Sequence, residues 1–95
     1  MEAYESADSD LETRIIKAPD GLDYVVSMDV YFWNCLSTME SEGYSNLDEV
    51  VGIAWRGRAA DAANGLHYSF PEALLVAINE MFEHYLTRIF GYANG

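Results

Sequence analysis

Cations are scarce in this chain: five Lys and Arg stand against sixteen Asp and Glu, a formal net charge of -11. A field of that sign repels phosphates and steers toward basic partners, and in its plainest reading it keeps the chain soluble. Cysteine is limited to Cys35, which excludes an internal disulfide and, among apolar neighbours, reads as a buried inert thiol in a reducing compartment. The expected location is therefore the cytoplasm. Long apolar runs are missing as well; the longest, residues 73–78, is far short of the roughly 20 residues that span a bilayer, and no cationic, apolar leader opens the chain. No membrane partner is expected. The seven glycines fall at turns and helix ends, and neither a glycine-rich phosphate loop, a serine elbow nor a paired-carboxylate pocket is legible. The chain accordingly reads as non-enzymatic and free of cofactors.

What is present is an apolar half, 51% of residues, with 14% aromatic, enough for one packed domain in 95 residues. Glu2, Glu5, Asp8, Asp10 and Glu12 give residues 1–13 five acids and no cation, so this stretch reads as an acidic disordered tail ahead of a domain over residues 14–92. The β-branched run Arg14 to Ala18 meets the turn residues Pro19, Asp20 and Gly21, and Leu22 to Met28 then alternates. Leu22, Tyr24, Val26 and Met28 share one face of that second strand; Asp23, Val25 and Ser27 share the other.

A two-stranded ribbon is marginal alone, so its apolar face must lie on helices or on a second copy. Asp29 is placed to cap a first helix over residues 30–42, with Trp33 and Leu36 on its apolar side and Gly43 as its stop. Ser45 and Asp48 have the capping-box spacing for a second helix, which Gly57 interrupts and Asn64-Gly65 ends. Ser69-Phe70-Pro71-Glu72 repeats the box before a third helix, whose stripe runs through Leu74, Leu75, Ile78, Met81, Phe82, Tyr85, Leu86 and Ile89. So wide a stripe is best covered across a two-fold dimer. The fold class is thus mostly α with a short β-ribbon. Tyr24, Val26, Met28, Phe32, Trp33, Leu36, Leu75, Ile78, Phe82 and Tyr85 are its expected core or dimer seam.

This order, a hairpin leading through Ser27-Met28-Asp29 into Phe32-Trp33 and Leu36, then Gly43, a capped second helix and an aromatic-rich last helix, resembles the ribbon-helix-helix domains of bacterial proteins, in the variant with Phe-Trp in its first helix. The resemblance covers about residues 14–90. It implies a ribbon-helix-helix-like dimer, here with an additional C-terminal helix, whose outward ribbon residues read the major groove of operator DNA as a transcriptional regulator. The outward set Asp23, Val25 and Ser27 departs from that pattern, holding no Arg, Lys, Asn or Gln to read base edges. Arg14 and Lys17 are the candidate phosphate contacts, with the Ser45-Asn46 helix start as a third. Arg56 and Arg58 form the densest basic spot, for a phosphate or an acidic partner, or for pairing with Asp61 or Glu49 within the chain.

Glu80 and His84, four apart, with His67 as a third donor, have the spacing of a metal pair but read as ordinary helix polarity, and no metal is expected. Cys35 beside a histidine would need an activated thiolate, which an apolar helix face denies it. Two functions emerge from these features. The first is the dimeric regulator or DNA-associated protein of the resemblance. The second, carried by the charge, is an acidic protein-binding module or nucleic-acid mimic, for example a phage-encoded inhibitor of a nuclease or CRISPR complex.

Overall fold

The structure, a computed structural model, describes residues 10–91. Strand β1 (Leu11–Lys17) and strand β2 (Asp23–Asp29) form an antiparallel hairpin, followed by helices α1 (Val30–Ser41), α2 (Leu47–Ala63) and α3 (Phe70–Phe90). The chain is a β-ribbon followed by three helices, as its residue pattern indicates. The hairpin register sets Leu11 opposite Asp29 and Lys17 opposite Asp23, with Arg14 opposite Val26 at the centre.

The turn between the strands is built by its own residues. The Ala18 amide donates to the Leu22 carbonyl and the Gly21 amide to the Ala18 carbonyl. Gly21 sits at φ 86°, a conformation that a Cβ would strain. Asp20 accepts from the Leu22 amide and from the Tyr24 hydroxyl, 2.8 Å away, which pulls its carboxyl below the ordinary range despite some desolvation.

β1 begins at Leu11, so residues 11–13, expected in the disordered tail, belong to the ribbon; the rest of that tail expectation, residues 1–9, lies outside the described residues. The physical reason lies in its partners: Thr13 and Ser27 share a hydroxyl hydrogen bond across the ribbon, and the Trp33 Nε1–H donates to the Glu12 carbonyl at 2.9 Å. Those bonds outweigh the charge that suggested a solvated tail.

Asp29 caps α1 by accepting from the Tyr31 amide, and Gly43, at φ 72°, turns the chain away after it. The cap of α2 is Asn46 rather than Ser45: its Oδ1 accepts from the Glu49 amide at 2.9 Å, three residues on. Gly57 lies inside α2 without interrupting it, because the helix continues to Ala63 and Asn64-Gly65 ends it. Ser69 and Glu72 form the full capping box of α3 with Pro71 in the first turn.

The core forms where the three helices meet the inner ribbon face. Trp33, Met39, Val50, Phe70, Leu74, Ile78 and Val26 are fully enclosed. Val26 is 0% exposed and Met28 2%, so within one copy the ribbon's apolar face is already covered by helices, and the wide stripe of α3 is largely shared between α1 and α2. Tyr24, Phe32, Leu75 and Phe82 pack partly buried on this core, while Leu36 and Tyr85 are inside it. Ile89, the last member of the stripe, stays exposed. The end of the domain assigned to Tyr92 lies outside the described residues.

Candidate interaction surface

Strand alternation turns odd-numbered ribbon residues away from the core. The outward face therefore carries Leu11, Thr13, Ile15 and Lys17 on β1, beside Asp23, Val25 and Ser27 on β2. Ile15 is 69% exposed and Val25 66%, directly opposite each other at the middle of the face. β-Branched side chains suit a strand whichever way they point, but two on a solvent face leave apolar area unburied. Next to them the Thr13–Ser27 hydroxyl pair forms a polar step. Asp23, Val25 and Ser27 are outward as their alternation indicates; Leu11, Thr13 and Ile15, three of the seven residues of this face, are not singled out by the sequence, Leu11 and Thr13 because they stand among acids.

The two candidate phosphate contacts are both engaged within the chain. Lys17 Nζ lies 3.1 Å from an Asp23 carboxylate oxygen and donates to the Gly21 carbonyl at 3.3 Å. Arg14, on the opposite face, donates from Nε to Glu12 at 2.6 Å and lays its guanidinium 4.5 Å from the centre of the Trp33 ring. The pairs are exposed, so each holds little energy, but each places a carboxylate beside the cation. The α2 start is closed in the same way. The Leu47 amide donates to Glu40, the Glu49 amide to Asn46, and the first turn contains Asp48 and Glu49. Among the described residues Ser45 is the one buried polar residue, its hydroxyl donating to Glu49 at 2.9 Å. An anion would meet carboxylates where free amides were expected, which corrects the reading of Ser45 and Asn46 as a phosphate seat.

Arg56 and Arg58 part company on α2. Arg58 stacks its guanidinium 4.8 Å from the Trp55 ring centre and donates to the Tyr68 carbonyl at 3.1 Å. Among the described residues neither arginine makes an ion pair, so the expected pairing with Asp61 or Glu49 is replaced, for Arg58, by an aromatic face and a carbonyl. Arg58 lines a groove of about 470 Å³ between α2 and α3, with Ile53, Ala54, Gly57 and Val76 as apolar walls and Asp61 and Glu80 at its rim. Small residues on both helices open this groove, a feature visible only once their packing is known.

Cys35 is buried, and burial pushes its thiol up, opposed by a hydrogen bond with Tyr31. Glu80 faces the α2–α3 groove, whereas His84 lines a separate depression beside Tyr44 and Arg88. Among the described residues no three His, Cys, Asp or Glu side chains converge as metal ligands would, and no helix is long and apolar enough to cross a membrane. Compared with known proteins, the chain matches no family model, no curated protein and no solved structure.

Proposed function

We propose that this chain is a non-enzymatic, homodimeric, cytoplasmic binding module that presents the outward face of its ribbon to a basic protein surface. The observation that carries this reading is the make-up of that face: exposed Ile15 and Val25 at its centre, and one cation, Lys17, already held by Asp23. Apolar patches rimmed by charge are the usual form of a protein interface. With a net charge of -11 around it, such a patch attracts a cationic partner, as a nucleic-acid mimic inhibiting a basic nucleic-acid-handling protein would.

The alternative, a ribbon-helix-helix regulator on operator DNA, draws its support from the paired hydroxyls of Thr13 and Ser27, which can face base edges, and from the order of the elements. Titration with a random DNA duplex from low to physiological salt separates the two. The module is expected to show no duplex binding even at low salt and to be retained by immobilised basic proteins. Duplex affinity that falls steeply with ionic strength establishes the regulator instead.

A further inference from the structure

We propose that β1 pairs edge to edge with β1 of a second copy about a two-fold axis at Thr13, extending each hairpin into one four-stranded antiparallel sheet. The inference rests on the homodimeric reading above and names the surface that reading leaves open. Among the described residues the sheet has two strands, so each has one free edge. β2 is the strand that α1 and α3 both pack against; β1 is the outer one.

Hydrogen-bonded and non-bonded residue pairs alternate along an antiparallel ladder. The Val30 amide on the Asp10 carbonyl at one end, and the Ala18 amide on the Leu22 carbonyl at the other, place the even-numbered residues of β1 in the bonded pairs. The backbone groups of Leu11, Thr13, Ile15 and Lys17 therefore point out from the free edge. Among the described residues their amides find no turn, loop or side-chain acceptor. An open row of this kind is a template for another strand.

The sequence of β1 fits its own reverse in one register. With Thr13 opposite Thr13 of the second copy, Leu11 meets Ile15 twice on the outward face, and Glu12 meets Arg14 twice on the inward one. Opposite charges and apolar pairs facing across strands stabilise a sheet, and like charges weaken it. The register one step along, about Arg14, sets two guanidinium groups against each other. β2 paired about its own midpoint, Val26, sets Asp23 against Asp29 twice. Among the symmetric registers of either strand, the one about Thr13 is the one that faces opposite charges without facing like ones.

The test uses cysteine variants of the full chain, since the single native thiol, Cys35, is buried. In the proposed pairing the two Thr13 Cα atoms are about 5.5 Å apart, within disulfide reach, while the two Ile15 Cα atoms are about 14 Å apart. Under mild oxidation Thr13→Cys is expected to shift to twice the monomer mass, and Ile15→Cys and Val25→Cys to remain monomeric on a denaturing gel. Thr13→Pro, which removes the outward amide together with the hydroxyl bonded to Ser27, should weaken dimerisation by about tenfold or more, whereas Thr13→Val, which removes the hydroxyl alone, should leave it unchanged. Arg14→Glu should weaken it too, and Glu12→Arg with Arg14→Glu should restore it. A sedimentation mass that stays monomeric at all concentrations overturns the homodimer and this pairing together. A dimer that Thr13→Pro leaves intact and Thr13→Cys does not cross-link, or in which Ile15→Cys cross-links instead, overturns the pairing alone.

Discussion

Trp33 ties the ribbon to the first helix through a single bond, from its ring nitrogen to the Glu12 carbonyl, while the ring itself is fully enclosed beneath Arg14. Trp33→Phe keeps most of the packing and loses that bond, and urea unfolding should report a loss of at least about 1 kcal/mol at unchanged slope. Leu74→Ala, at a site with no exposure, should lose about 2–5 kcal/mol by the same measurement. Asp20 gives a pH dependence whose sign follows from its environment. Its acceptance of the Leu22 amide and Tyr24 hydroxyl lowers its folded pKa. Its contribution is therefore complete above the ordinary aspartate range and is lost as the pH falls through the depressed value. Thermal melts of Asp20→Asn should accordingly decline less than wild type on the acid side of that range. At this scale the sequence was highly legible for the core. Val26, Met28, Trp33 and Ile78 declare their burial by spacing alone. The engagement of Arg14 by Trp33 and of Arg58 by Trp55 was not legible, because stacking depends on contacts that spacing does not reveal.

Helix caps set the boundaries of the elements and explain where reading from the sequence slipped by one residue. Ser45 and Asn46 are both good capping types, and the choice went to Asn46 because Ser45 is drawn into the core. Asn46→Ala should therefore lower stability by about 1 kcal/mol, measured by chemical denaturation. Gly57 looked like a break in α2 because glycine disfavours helix, yet the residues around it supply enough packing to carry the helix through. A Cβ added at Gly57 meets nothing within 4 Å. Gly57→Ala should thus raise stability by about 0.5–1 kcal/mol in the same assay. The start of β1 was hidden for a different reason: Asp10 and Glu12 resemble a solvated tail, and only the cross-strand partners show that the chain there is ordered into a ribbon.

A single copy closes its own core, which changes what a second copy is needed for. The ribbon's inner side, covered by α1 and α3, and the α3 stripe, shared between α1 and α2, both seemed to call for a dimer and are satisfied within one copy. What stays uncovered among the described residues is the outer side of the ribbon and its free β1 edge, and these follow from alternation once the strand start is known. Half of the candidate surface was legible from β2; the other half required the register. The two tryptophans give this arrangement an optical consequence. Trp33 is sealed, whereas Trp55 lies partly open under the Arg58 guanidinium, beside Tyr24 and Phe70. The emission should split into a blue component that acrylamide barely quenches and a redder one that it quenches readily. Trp55→Phe would then leave only the protected component, a single lamp inside the ribbon junction.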